Sequence, residues 1–411
     1  MRGSGPLEGS VAIEGAKNSV LKLMAASLIA EGRFVLRNVP HIVDVEIMSD
    51  LLVSMGADVR RIEDHVLAID VGADLTPEAP YELVEQMRAS IVVLGALLAR
   101  NGYARVALPG GDNFGPRPID MHISGLAALG VRFETAHGYI EARCDELVGT
   151  RVVLEFPSVG ATENLLMAAV RAKGTTVIDN AAREPEIADL AAFLVRMGAR
   201  IVGGGTSTVE IEGVDELSPV DHAVIPDRIE AGTFLAAVGI AGGEITLQGA
   251  RADHMDMLIR KLGEMGMRVS PSSDGLWAQA KGRLRAVDVS TLPYPGIATD
   301  YKPFFVAMLA LAEGVGIVTE NLFSGRFRYV DELVRMGADI RTEGHHAVVR
   351  GRPRLSGAPV RAPDIRAGAA LVVAALGADG ETLVSDASHI ARGYQDFAGK
   401  LQAVGADIEV R

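Results

Sequence analysis

The 411-residue chain is 48% hydrophobic and 23% charged, the composition of a packed protein of two or three domains rather than a disordered one. A formal net charge of −13 argues against non-specific nucleic-acid binding, and no apolar run reaches the roughly 18 uncharged residues that a membrane span needs. The single cysteine, Cys144, excludes an intramolecular disulfide and points to the cytoplasm.

In chain order, the first element is the apolar stretch from Val20 to Ala30, introduced by Gly15-Ala16-Lys17-Asn18. It lacks a signal-peptide cleavage pattern and predicts a buried helix. Gly32 ends it, and Phe34-Val35-Leu36 follows as a strand. A second helix ends at Met55-Gly56-Ala57, before the β-formers around Val59. This cassette recurs. Its first helix closes at Gly32, Gly102, Gly174, Gly243, Gly314 and Gly380, each followed by a short β-run. Its second helix closes at Gly56, Gly130, Gly198, Gly266, Gly337 and Gly405, each again followed by β-formers, the last being Asp407-Ile408. Glycine just past a helix is a C-cap signal, because it turns left-handed without a Cβ clash. Two series in phase, with a period of about 70 residues, predict six α/β units. Units of this size suit two globular domains of three each. The break falls near residue 225, at Ser218-Pro219 and Ile225-Pro226-Asp227.

The six apolar helices carry polar residues at their predicted starts: Lys17-Asn18, Arg88, Thr162-Glu163-Asn164, Asp227-Arg228-Ile229-Glu230, Thr299-Asp300 and Asp364-Ile365-Arg366. A helix N-terminus offers unpaired N–H groups and favours anions. A cation there costs a few tenths to about 1 kcal/mol. A bound anion in front of the helix explains that cost, and so does an ordinary interdomain salt bridge. For Lys17, Arg88 and Arg366 together, the ligand site is the preferred reading. Between a strand and the next helix lies Pro109-Gly110-Gly111-Asp112-Asn113-Phe114-Gly115-Pro116-Arg117-Pro118, which reads as an active-site lid or as a structural turn. Arg326, Arg328 and Arg392 stand beside glycine and aromatic residues, as guanidinium groups placed to grip carboxylate or phosphate do. The chain has no phosphate-binding G-x-x-x-x-G-K-[ST] loop, no G-x-G-x-x-G fingerprint, no zinc spacing and no nucleophile elbow. The expectation is a mechanism without metal or cofactor.

Gly15-Ala16-Lys17-Asn18, Met87-Arg88-Ala89-Ser90, the segment from Pro109 to His122, Ser158-Val159-Gly160-Ala161-Thr162, Asn180 to Glu186, Thr299-Asp300, Arg326-Phe327 and Arg392-Gly393-Tyr394 resemble the enolpyruvyl transferases over almost the whole chain. The resemblance is strongest to the branch that acts on UDP-N-acetylglucosamine. It implies a fold of the α/β (α+β) class: a two-domain inside-out α/β barrel of six βαβαββ-like repeats. Residues 18–225 would form one domain, and 1–17 with 226–411 the other, with the active site in the cleft between them. The implied substrates are phosphoenolpyruvate and UDP-N-acetylglucosamine, in the first committed step of peptidoglycan synthesis. No nucleic-acid, membrane or obligate protein partner is implied. Asp112 would be the general acid and Asp300 the base. Lys17, Arg117 and Arg392 would grip the phosphate, and Arg326 and Arg366 the carboxylate. Asn18 and Arg88 would line the site. Arg117, Pro118, Ile119, Asp120, Met121, Ser158, Val159, Gly160 and Leu322 would hold the UDP and sugar. Glu184, Glu186, Asp227 and Arg228 have a weaker claim.

The chain departs from the family pattern in places. Ala391 replaces an aspartate beside Arg392, Ser324-Gly325 replaces an acidic-Asn pair before Arg326, and Phe156 stands where some members have a lysine. Other acceptors, a nucleoside monophosphate or shikimate 3-phosphate, stay open, as does an idle sugar-nucleotide-binding regulator. Asp112 stands where many members carry the cysteine that fosfomycin alkylates. The chain should therefore resist fosfomycin, and Asp112→Cys should keep activity and gain sensitivity. Mass spectrometry after incubation with the drug checks this, and a covalent adduct on Asp112 would refute it.

Overall fold

A helix that is apolar all round is stable only when covered on every side. The computed structural model describes residues 1–109, 118–323 and 325–410, and in it such helices form the centre of two compact units. The first unit comprises residues 15–225, among those described. Its helices come in pairs: α1 (Lys17–Ala26) and α2 (Val43–Ser54), α3 (Val93–Asn101) and α4 (Asp120–Ala128), α5 (Val159–Ala169) and α6 (Pro185–Met197). The second unit comprises residues 1–14 and 226–410. It contains α7 (Arg228–Ala241) and α8 (Asp256–Met265), α9 (Lys302–Leu311) and α10 (Val330–Arg335), α11 (Ile365–Ala375) and α12 (Phe397–Ala403). The first member of each pair is buried almost throughout; α11 is buried at every residue. In most pairs the second member buries only one stripe, as α8 does through Leu258, Leu262 and Met265.

Four-stranded sheets lie over these helices. In a representative one, Gly32–Arg37 pairs antiparallel with Val66–Val71, Phe34 opposite Ile69, and Asp58–Glu63 completes a hairpin. The fourth strand, Asp221–Ala223, is parallel to Gly32–Arg37 and comes from the far end of the unit. Leu7–Ala12 plays the matching part in the second unit, parallel to Gly243–Gln248 with Leu7 opposite Gly243. Each of these strands precedes a buried helix of the other unit, so the strands are exchanged along the chain. At the crossings, Ala16 N–H donates to Ile225 O at 2.7 Å, and Asp227 N–H donates to Glu14 O at 2.7 Å. Gly15, Ala16 and Lys17 belong with the first unit, where Lys17 begins α1.

All twelve glycines of the two repeat series have positive φ. Three expectations need correction. No strand forms at Asp407-Ile408; instead Arg2 N–H donates to Asp407 O at 2.9 Å, and among the described residues no strand returns to pair there. Thr162, Glu163 and Asn164 do not open their helix, because Ser158 caps it, accepting from Ala161 N–H at 3.3 Å. Arg88 opens a 3₁₀ turn, Arg88–Val92, ahead of α3. Among the described residues, no helix is long and apolar enough to cross a membrane.

Gly243 joins two constraints. Its φ is +103°, and a Cβ there would lie 2.1 Å from Leu7 O. Gly380 has φ +89° but open space around it. Gly380→Ala should therefore cost only the backbone strain, about 1–2 kcal/mol. Gly243→Ala should cost roughly 3 kcal/mol or more and loosen Leu7–Ala12. Urea unfolding with amide exchange on that strand measures both.

Candidate active site

In the first unit, Lys17 stands on the first turn of α1, and its Nζ lies 2.8 Å from Asp44 Oδ2 in the first turn of α2. Asp44 is 1% exposed, so the pair is largely shielded and the lysine at the helix N-terminus has a local counter-charge. The ion pair is made within the unit, and is not the interdomain salt bridge that the sequence left open. Gly15 permits the turn before it, since a Cβ would fall 1.8 Å from Asn38 O. Asn18 is half-buried beside Lys17. Arg88 Nη2 donates to Pro118 O at 3.4 Å, and burial lowers its pKa.

Pro118 to Met121 lead into α4 and are exposed or half-buried, while Ser158, Val159 and Gly160 form the half-buried start of α5. His122 and Asn164 tie α4 to α5. Asn164 Oδ1 accepts from Gly95 N–H at 2.6 Å, so its Nδ2 is the donor that reaches Ile91 O at 3.3 Å and His122 Nδ1 at 2.8 Å. His122 Nδ1 must accept, which puts the proton of the neutral ring on Nε2. That edge of the ring lies against α5: a Cβ at Gly160 would be 3.0 Å from Nε2. Burial, then the nearby Arg88, lowers the His122 pKa to about 4. Deeper in the unit, burial, against the opposing Lys22 and with repulsion from Glu184 and Glu186, raises Glu163 to about 7. Asp112 and Arg117 lie outside the described residues.

In the second unit, Asp300 stands in the turn Thr299–Tyr301 that leads into α9. Arg326 Nη2 donates to Asp300 Oδ1 at 2.6 Å, and Arg366 Nε lies 4.0 Å from Oδ2. Burial alone would raise the Asp300 pKa. Arg326, then Arg366, with a smaller contribution from Arg228, outweigh it and hold the carboxyl well below the usual range. Arg366 follows the N-cap Asp364, which accepts from Ala367 N–H at 2.8 Å. Its guanidinium lies over Tyr394, 5.1 Å from the ring centroid, and its buried Nη1 has no hydrogen-bond partner among the described residues. Arg392 is half-buried at the end of the single turn Ser388–Ala391, where the helix dipole favours a cation. Leu322 is half-buried, with its N–H held by Glu320 Oε1 at 2.8 Å. Asp227 caps α7, and the next residue, Arg228, is buried with its guanidinium near Tyr294.

The sequence profile of the family described as EPSP synthase (3-phosphoshikimate 1-carboxyvinyltransferase) matches residues 1–401. The chain belongs to this enolpyruvyl transferase family. It is 51% identical over 99% of its length to a UDP-N-acetylglucosamine 1-carboxyvinyltransferase of Nocardia farcinica, covering 97% of that protein. To the protein of that name from Gluconacetobacter diazotrophicus it is 52% identical over its full length, covering 98% of the relative. Among solved structures, the enolpyruvyl transferase NikO from Streptomyces tendae matches with a TM-score of 0.89 at 27% identity, over 99% of this chain and 97% of that one. EPSP synthase from Acinetobacter baumannii, at 20% identity and a TM-score of 0.77, covers 100% of this chain and 99% of its own, and shares the fold. The chain thus has the inside-out α/β fold of the enolpyruvyl transferases.

Within the second unit, the arrangement brings Asp300, Arg326 and Arg366 together. Sequence reading gave no role to His122 and Asn164, and missed Asp44, Lys302 and Glu320. Lys302 carried a signal: it is the one charge in the run from Lys302 to Leu311. Among the described residues, the group able to hold a metal ion is His41, Asp64 and His65, where the His41 ring lies 2.7 Å from Asp64 in an exposed pair.

His122 supplies a pH test. Its folded pKa of about 4 lies below its ordinary value of 6.5. The unfolded chain therefore binds more protons between these values, and stability falls as pH drops through the window, by roughly 3 kcal/mol in full. Urea unfolding at pH 6.5 and pH 4 should show a steeper loss for the wild type than for His122→Gln.

Proposed function

We propose that this enolpyruvyl transferase moves the enolpyruvyl group of phosphoenolpyruvate to the 3-hydroxyl of UDP-N-acetylglucosamine and releases phosphate. The observation that carries the reading is its near-half identity, over nearly the whole chain, to relatives named for that reaction. In the addition step, C3 of phosphoenolpyruvate gains a proton, the sugar oxygen bonds to C2, and a base takes the hydroxyl proton. In the elimination step, C3 loses a proton, the C2–O bond to phosphate breaks, and phosphate leaves.

Asp300 is the base in this proposal, and its electrostatics fit a conditional role. With Arg326 and Arg366 directed at it, the carboxylate is ionised but weakly basic. A substrate carboxylate that engages the two guanidinium groups would share their field, and Asp300 would become more basic as the substrate binds. Lys17, Arg117 and Arg392 take the phosphate, with Asn18 and Arg88 beside them. Pro118, Ile119, Asp120, Met121, Ser158, Val159, Gly160 and Leu322 take the sugar nucleotide. Asp112 supplies the proton to C3, which requires a pKa raised by a dry surrounding. None of these steps calls on a cofactor. A cytoplasmic setting, where both substrates would be available, belongs to the same proposal.

Phosphate release should be measured with phosphoenolpyruvate and, in turn, UDP-N-acetylglucosamine, shikimate 3-phosphate and a nucleoside monophosphate. Turnover with the first acceptor is expected. Turnover only with another acceptor would overturn the assignment, and none with any would point to an idle protein. Asp300→Ala should lower kcat on the order of 10³-fold, as loss of a general base does.

A further inference from the structure

A fully buried ion pair lies behind the Asp300–Arg326 couple. Lys302 is 0% exposed at the start of α9, and its Nζ is 2.9 Å from Glu320 Oε2, on a side chain that is also 0% exposed. A buried cation at a helix N-terminus is unfavourable twice over, through desolvation and through the helix dipole. Its surroundings compensate closely. Lys302 Nζ also donates to the backbone oxygen of Arg326 and lies 4.0 Å from the Phe327 ring centroid. Glu320 Oε1 accepts from Thr291 Oγ1 at 2.7 Å, Leu322 N–H at 2.8 Å and Phe323 N–H at 3.1 Å. Its Oε2 accepts from Thr299 Oγ1 at 2.7 Å, and Thr299 Oγ1 accepts in turn from Arg326 Nη1 at 3.1 Å. Lys302 thus holds the backbone of Arg326, while Glu320, through Thr299, holds its guanidinium. The other arm of that guanidinium is the one on Asp300.

We propose that Lys302 and Glu320 are positioning residues that hold Arg326 in register with Asp300, ready for a substrate carboxylate. The inference rests on the proposed function for the identity of that carboxylate. The same pair braces the turn after Thr319, because Glu320 also binds the N–H groups of Leu322 and Phe323. Glu320, Arg326 and Asp364 are the charged groups that bear on Lys302. Burial lowers the Lys302 pKa to about 8, against the opposing pull of Glu320. The brace should therefore weaken as pH rises through 8.

The test compares Lys302→Met, Lys302→Gln and the double variant Lys302→Met/Glu320→Gln with the wild type. The readouts are thermal stability, KM for each substrate, and phosphoenolpyruvate affinity by calorimetry. Lys302→Met leaves Glu320 buried without its cation and should be the least stable. The double variant removes both charges and should regain stability. Positioning predicts that the double variant keeps a KM and a Kd for phosphoenolpyruvate raised roughly tenfold or more, as displacement of a positioned group does, with the KM for UDP-N-acetylglucosamine little changed. Lys302→Gln retains hydrogen-bond donors, so it should recover most of the affinity and lose the rise in KM above pH 8. Phosphoenolpyruvate binding that recovers along with stability in the double variant would overturn the inference, leaving the pair a purely structural role. A wild type that binds phosphoenolpyruvate without turnover would instead overturn the proposed reaction, and the variants' Kd values would still decide the role of the pair.

Discussion

The buried helix is the constraint from which the rest follows. Where a helix is covered on every side by apolar packing, its polar chemistry is confined to its ends. Each unit has three such helices, and residues with polar side chains gather at their starts: Lys17 on α1, Ser158 capping α5, the Thr299-Asp300 turn before α9, and Asp364 and Arg366 at α11. Sheets over the helices carry little of this chemistry. Their exposed faces hold ordinary ion pairs such as Arg37 with Asp221, half exposed on both sides, where solvent screens the interaction and its worth is small.

Placing charges at buried helix ends creates an electrostatic problem, and the two units handle it differently. In the first, Lys17 is balanced by one carboxylate, Asp44, from a neighbouring helix. In the second, one carboxylate is set between two guanidinium groups. Asp300 meets Arg326 and Arg366, and Arg366 retains a buried N–H without an acceptor among the described residues. Leaving such a donor unsatisfied costs about 1–3 kcal/mol. An anionic ligand that accepted from it would recover that cost as binding energy.

Much of this organisation was legible in the sequence. The glycine series was readable because a left-handed residue after a helix restricts the amino acid so strongly, and every glycine in the two series has positive φ. The cations at helix starts were readable because they oppose the dipole. Their partners were not. Asp44 is far from Lys17 along the chain, and Glu320 is likewise separated from Lys302, so only tertiary structure reveals which charges are balanced. The helix starts at Val159 and Val93 were misjudged because a serine cap and a 3₁₀ turn shift a helix start without altering its apolar period. The β-formers after Gly405 carried the local signal of a strand, but a strand needs a partner, and none is present among the described residues.

The exchanged strand has a consequence for the order of folding. Leu7–Ala12 is made first, yet its partner strand begins at Gly243, more than two hundred residues later. At roughly 5–20 residues per second, it leaves the ribosome on the order of ten seconds or more before that partner. In the interval the whole of residues 15–225 is synthesised, and its two ends can close through the Ala16–Ile225 hydrogen bond. The first unit can therefore mature while the leading segment remains an unpaired β-former on the nascent chain. Two of its six residues are glycine and serine, and a glutamate precedes them. That composition lowers the tendency of a waiting strand to pair with the wrong edge.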